Sequence, residues 1–293
     1  MSNVPFWGPD FAMLEAEDPD IAAILLSELD RARSGLQLIA SLGYRSVALT
    51  IDYHCLNPYT RDLPAQLADM RQRLDELQLA SVIETGARFL LDPLQKHEPT
   101  LLTSDPAARA RRIDFLCRAI DIARELNSQA VSFWSGTCHD DTPVSQQQAR
   151  LQDGLCRVVE HATQKNIRLA FEPEPGMLIE RCEQCQPLIE KLQSPLFGLT
   201  LDIGHLHCVE HEPITDLLRK WAPRLFNVHI EDMCRGVHEH LRFGEGEIDF
   251  LPVVKLFTPD ANCTWLLSEI DPTDPDTAFG LCDLGCGCPE LGY

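Results

Sequence analysis

Short apolar runs alternate along this chain with longer stretches whose apolar positions recur every three or four residues. The runs are SVALTI (46–51), ASVIET (80–85), AVSFW (130–134), IRLAFE (167–172), FGLTLD (197–202), LFNVHI (225–230) and TWLLSEI (264–270). They are nearly continuous in apolar residues, as expected of parallel strands buried on both faces. Between them, residues 20–42 place Ile21, Ile24, Leu25, Leu29 and Leu36 at helical spacing. Residues 105–126 do the same with Ile113, Leu116, Ile120, Ala123 and Leu126, behind an Asp-Pro start signal. Residues 62–79, 145–165 and 183–192 predict further helices.

Strand–helix alternation on this scale predicts an α/β fold. The expectation is a (β/α)8 TIM barrel forming one domain over residues 1–293, with a doubly wound open sheet as the rival. No G-x-G-x-x-G follows an early strand, so a dinucleotide-binding fold has no positive support. The two ends depart from the barrel pattern. Only VPFW (4–7) is available as a first strand, and it is weak. The tail DPTDPDTAFGLCDLGCGCPELGY (271–293) holds three Pro and four Gly in 23 residues, which rules out a long closing helix and predicts an irregular C-terminal closure. One polar, glycine-bearing stretch, MCRGVHEHLRFGEGEIDF (233–250), reads as a long functional loop.

Composition narrows the partners. The 45 acidic residues outnumber the 25 basic ones, for a formal charge of −20. Such a field repels phosphate backbones and argues against nucleic acid. No apolar run reaches membrane-spanning length, and MSNVPFWGPDF lacks the regions of a signal peptide, so the expected location is the cytoplasm. The 12 Cys are scattered. Cys182 and Cys185 have C-x-x-C spacing, and Cys282, Cys286 and Cys288 cluster near the end, but neither group has the paired repeat of a structural zinc site.

The chemistry lies at the ends of the runs. In a barrel the active site sits at the C-terminal ends of the strands. Here four successive runs end in or near a metal-competent side chain: Glu172 in LAFEPEPG, Asp202 in LTLDIGHLH, His229 in NVHIED and Glu269 in LLSEI. Each alone has an ordinary explanation as a solvated or core residue. Together, three carboxylates and one imidazole on one rim would be costly without a partner, and a divalent cation is the economical one. Oxygen-rich ligation with one nitrogen suits Mn²⁺, Mg²⁺ or Co²⁺, with Zn²⁺ a further candidate.

The set resembles the xylose isomerase-like TIM-barrel superfamily, in its sugar phosphate isomerase/epimerase branch. The likeness runs from about residue 35 to 270 and is densest in FEPEPGMLIE, GLTLDIGHLH, NVHIEDMCRGVHEHLRFGEGEIDF and LLSEI. It implies one metal ion held by Glu172, Asp202, His229 and Glu269, with Glu172 and Glu269 also forming the acid/base pair. It implies that His205 holds a substrate oxygen, and it leaves His207 without a role beyond structure. The implied activity is isomerisation or epimerisation of a sugar or sugar phosphate, by removal of a proton α to a carbonyl through an enediolate.

Other candidates carry two explanations each. His240 lines the substrate pocket or orders the glycine loop; Trp134 stacks on a sugar ring or packs in the core. Arg235 and Arg242 are candidates for a substrate phosphate, equally explained as solvated. A keto-polyol dehydratase on the same scaffold is the main alternative, because the same α-proton leaves in both. A three-zinc nuclease of the endonuclease IV type is a minor one: Asp232, His238 and His240 sit in the right loop, but Gly236 stands where its Asp would be. A non-catalytic barrel that binds a polyol is the remaining reading. The substrate's identity and any homo-oligomer are open.

Overall fold

The computed structural model describes residues 16–22, 36–37, 39–41 and 43–250, and the strands within 255–292 by their backbone pairing. VPFW (4–7) and most of the helix expected over 20–42 lie outside the described residues. The elements in order are β1 (Ser46–Thr50), α1 (Leu63–Glu76), β2 (Ala80–Glu84), α2 (Pro106–Leu126), β3 (Ala130–Trp134), α3 (Val144–Lys165), β4 (Arg168–Glu172) and α4 (Gln186–Leu192). Then follow β5 (Phe197–Asp202), α5 (Ile203–Val209), α6 (Ile214–Trp221), β6 (Leu225–His229), β7 (Asp232–Cys234) and β8 (Val237–Leu241). The last strands are β9 (Lys255–Thr258), β10 (Ala261–Asp271), β11 (Asp274–Asp283) and β12 (Glu290–Gly292). Strands β1 to β6 alternate with helices in chain order, the α/β alternation that the apolar runs predict.

By contacts the chain falls into two compact units: Met1–Glu98 with Asp114–Val131 and His161–Ile167, and Pro99–Ile113 with Ser132–Glu160 and Arg168–Tyr293. In the first, β1 and β2 pair in parallel from Ser46↔Ala80 to Thr50↔Glu84. The hydroxyls of Ser81 and Ser128 lie 2.8 Å apart, so two buried polar groups satisfy each other. Leu74, Ile83, Phe115, Leu116 and Ile120 are buried in this unit.

The second unit carries the candidate site. Strand β5 pairs in parallel with β4 (Leu169↔Phe197 to Phe171↔Leu199) and with β6 (Leu199↔Leu225 to Asp202↔His229). All six residues of β5 are buried, which accounts for its nearly unbroken apolar sequence. Phe171 packs edge-on against Phe133 at 5.4 Å between ring centroids and contacts Phe197 at 5.7 Å. The Thr200 hydroxyl donates to Ser132 Oγ at 3.0 Å, which satisfies the polar side chains of an otherwise apolar layer. Val228 and Ile230, on or just beyond β6, are exposed, as befits the last strand in the order.

Two expectations change. The segment 233–250 is not all loop: β7 and β8 form an antiparallel hairpin, with Cys234 opposite Val237. Gly236 turns it with φ +75°, a conformation that costs glycine little. The strand expected at 264–270 does form, as β10, but it pairs antiparallel with β9 and β11. Those strands and β12 make a four-stranded sheet, so much of the tail after 271 is extended strand. The reason is the connection. Only residues 272–273 separate β10 from β11, and a link that short cannot make the crossover that parallel strands need. Among the described residues, no helix is long and apolar enough to cross a membrane.

Gly198 lies where β5 meets β6, and a Cβ there would collide with the Arg224 carbonyl oxygen and the Phe226 ring. Gly198→Ala is expected to destabilise the protein by about 1–3 kcal/mol, read as a lower midpoint in urea. An unchanged midpoint would show that this contact is not tightly packed.

Candidate active site

The geometry starts at the C-terminal end of β5. Asp202 is at once the last strand residue and the N-cap of α5. Its Oδ1 accepts from the backbone amides of Gly204 at 2.7 Å and His205 at 3.1 Å. That bond pattern fixes the side chain and leaves Oδ2 turned toward His229, 3.8 Å from Nδ1. So the strand-ending Asp does two jobs, one with each oxygen. Burial raises its carboxyl above the usual range, opposed by the His205 amide, the His229 charge and the Gly204 amide.

Glu172 ends β4 and His229 ends β6, on either side of Asp202. His229 Nδ1 lies 3.2 Å from Glu172 Oε1, and Nε2 lies 3.1 Å from Asn227 Nδ2. An amide that donates to Nε2 leaves the imidazole proton on Nδ1, facing the carboxylate. Asn227 also reaches Thr200 Oγ1 at 3.5 Å, so the ring is oriented by a polar chain running back into the sheet. Glu172, Asp202 and His229 each offer one ligand atom, all within 4.8 Å of one another. Two carboxylate oxygens and one imidazole nitrogen in that space fit a divalent cation, which would take the place of the Nδ1 proton.

Beside this group sits His205, only 5% exposed. Its Nδ1 is 3.5 Å from Glu172 Oε1 and its Nε2 is 3.6 Å from Glu231 Oε1, and neither nitrogen makes a hydrogen bond. Burial first, and then the neighbouring His238, push the imidazole down to about 3, so His205 is neutral at ordinary pH. His240 projects from the hairpin and pairs through Nδ1 with Glu231 Oε2. His207, next on α5, has Nε2 3.5 Å from Glu247 Oε2.

The remaining sequence candidates fall elsewhere. Trp134 ends β3, is buried, and carries the Arg112 guanidinium 4.4 Å over its ring, so one face of the indole is already covered. Glu269 lies in β10, and its side chain lies outside the described residues. Cys182 and Cys185 are buried free thiols on a short 3₁₀ turn, held protonated by burial and the nearby Glu210. Cys282 lies in β11, where side chains are outside the described residues, and Cys286 and Cys288 lie outside the described residues altogether. Arg235 donates to the Glu210 carbonyl oxygen at 2.7 Å, a structural contact. Sequence analysis passed over Glu231. The signal was there: in NVHIED, His229 and Glu231 are two apart, which puts them on one face of an extended segment.

Asp232, 1% exposed, organises the glycine loop that follows the hairpin. Its Oδ1 accepts from Met233 N at 2.9 Å and Ile248 N at 3.2 Å, and its Oδ2 from Gly244 N at 2.8 Å and Gly246 N at 2.9 Å. Burial works to raise this carboxyl, but the four amides outweigh it and hold the group below the usual carboxylate range.

Comparison with known proteins identifies the family and the fold. A family model described as xylose isomerase-like TIM barrel matches residues 36–278. The L-ribulose-5-phosphate 3-epimerase UlaE of Escherichia fergusonii is 27% identical over 222 residues, covering 73% of each chain. Among solved structures, a D-allulose 3-epimerase from Methylomonas sp. superposes with a TM-score of 0.61 at 19% identity, over 76% of this chain and 72% of that one. An L-ribulose 3-epimerase gives 0.60 at 22% identity, over 78% and 70%. These structural likenesses establish the fold.

Since the Asp232 carboxyl is depressed in the folded state, its contribution is present above its unfolded pKa and is lost as pH falls through the folded one. Asp232→Asn, which keeps one acceptor oxygen, is expected to cost about 1–3 kcal/mol. The amides of Gly244, Gly246 and Ile248 should exchange faster with deuterium in that variant. Unchanged exchange there would mean that the loop is held by other contacts.

Proposed function

The chain belongs to the xylose isomerase-like TIM barrel family, and from that premise we propose that it is a divalent-metal-dependent epimerase of a keto sugar or keto sugar phosphate. The observation that carries the proposal is the convergence of Glu172, Asp202 and His229 at the C-terminal ends of three adjacent parallel strands. The epimerase relatives support it, and the L-ribulose-5-phosphate 3-epimerase matches in sequence over most of both chains.

In this reading Glu172, Asp202 and His229 hold the ion, with Glu269 as the fourth ligand assigned from sequence. When bound, the ion supplies electrophilic polarisation of the substrate carbonyl and compensates the negative charge that develops on its oxygen. The chain supplies the rest. Glu172 takes the proton α to the carbonyl, giving an enediolate, and Glu269 returns a proton to the opposite face. His205, neutral and unbonded at both ring nitrogens, can donate one N–H to a substrate oxygen without a change of charge. The pairing of His240 with Glu231 leaves its Nε2 for a sugar hydroxyl at the mouth of the site. Trp134 can contribute only the ring face that Arg112 leaves uncovered. Arg242, on the Asp232-held loop, is the candidate for a substrate phosphate. One cofactor, Mn²⁺, Mg²⁺ or Co²⁺ (with Zn²⁺ as a further candidate), completes the centre.

The test is proton exchange. Purified protein with Mn²⁺, incubated in D2O with L-ribulose 5-phosphate or D-allulose, is expected to place one deuterium at the carbon next to the carbonyl and to form the epimer. Glu172→Gln should slow that exchange by about 10²–10⁴-fold. Loss of water from the sugar would favour the dehydratase. No exchange with any keto sugar, with the metal bound, would defeat the proposal.

A further inference from the structure

Glu231, two residues past His229, stands between two histidines of the site. Its Oε2 pairs with Nδ1 of His240, and its Oε1 lies 3.6 Å from Nε2 of His205. Those last two atoms are buried, and neither makes a hydrogen bond. Buried polar atoms left unpaired are costly and call for a partner. Close packing holds Glu231 in place as well. A Cβ at residue 204 would come within 2.8 Å of Glu231 Cγ, so the glycine there lets this side chain lie against α5.

The chemistry of the pair sets what it can read. A hydroxyl oxygen about 2.8–2.9 Å from both atoms closes a triangle on their 3.6 Å base. It accepts from the His205 N–H and donates to Glu231 Oε1. A hydroxyl can do both, whereas a carboxylate only accepts. A phosphate monoester near neutral pH carries close to two negative charges. It would satisfy His205 and set a second anion against Glu231. The imidazole spans the gap from Glu172 to Glu231, with Nδ1 toward the first and Nε2 toward the second. The hydroxyl read here therefore lies across the ring from Glu172, away from the carbon to be deprotonated. His238 stands edge-on to His205 with ring centroids 4.9 Å apart, and as an exposed side chain it can turn aside to admit the sugar.

The surroundings carry the same sign. In TIM barrels a substrate phosphate is frequently held by the loops after the last two strands. From Glu231 to the C-terminus the Lys and Arg residues are Arg235, Arg242 and Lys255, outnumbered several-fold by Asp and Glu. The Arg235 guanidinium donates to the Glu210 carbonyl oxygen, and the Arg242 amide bonds to Glu245 Oε2. We propose that Glu231 is a specificity-determining residue: with His205 it binds a substrate hydroxyl and disfavours a phosphate, so that the chain takes an unphosphorylated keto sugar. The inference rests on the epimerase reading of the site and narrows its substrate class.

The test is paired binding and turnover on the full chain with Mn²⁺. L-ribulose is set against L-ribulose 5-phosphate, and D-allulose against D-allulose 6-phosphate, by calorimetric titration and by deuterium exchange in D2O. Native protein is expected to bind the free sugar of a pair at least about 10-fold more tightly and to exchange it with the higher kcat/KM. Glu231→Gln keeps the size and an acceptor oxygen but not the charge, and should narrow that preference at least about threefold by tighter binding of the phosphate. Glu231→Ala should weaken the free sugar about 10-fold or more. A merely structural role would weaken both sugars and leave their ratio unmoved. Glu231→Met, checked by circular dichroism, replaces the Gln variant if that one loses its fold. Equal or tighter binding of the phosphates by native protein would overturn the inference, as would a preference unmoved in Glu231→Gln or binding of neither sugar. Free-sugar binding without exchange would defeat the epimerase reading and leave this preference standing.

Discussion

Two carboxylates, Glu172 and Asp202, are held out of water at the ends of neighbouring parallel strands, 6% and 5% exposed. Like charges that close and that dry raise each other's cost, and the architecture around them reads as compensation. Asp202 gives one oxygen to the amides that start α5 and turns the other toward His229. Glu172 faces the Nδ1 of the same imidazole. The ring itself is aimed by Asn227, which is tied through Thr200 to Ser132 on β3. A proton on His229 or a divalent ion at the same point can meet the charge of both carboxylates. Sheet, cap and polar chain all serve to keep that one point fixed.

The β7–β8 hairpin is organised by a different carboxylate with a different task. Asp232 spends both oxygens on backbone amides, four in all, and so has none left for a ligand. Its proximity in sequence to His229 is therefore no sign of a shared chemical role. What it provides is placement: the loop 244–248 folds back on it, and β8 presents His238 and His240 beside α5. The result is an oxygen-rich group and a nitrogen-rich group side by side. The His205 imidazole lies between Glu172 and Glu231.

Much of the fold was legible in the sequence because the signal is local. A nearly unbroken apolar run marks a strand buried on both faces, and β1 to β6 match the runs from 46 to 230, leaving the weak first strand at 4–7 outside the described residues. The residue at which a run ends is legible for the same reason, which is why Glu172, Asp202 and His229 could be named together before their distances were known. The tail was less legible. Its Pro and Gly content excluded a helix, but composition does not encode which strand an extended segment pairs with, and β10 turned out to be antiparallel to its neighbours.

The sequence by itself determined the order of strands and helices and the side chains delivered to the strand ends, because both follow from periodicity along a single element. Tertiary structure alone decided which oxygen of Asp202 caps α5, that Glu231 pairs with His240, and that His205 meets two histidines from a hairpin more than 30 residues downstream. Those contacts depend on register and on the path of the turn at Gly236. A one-residue shift in pairing would send His238 and His240 to the opposite face, leaving their order along the chain unchanged.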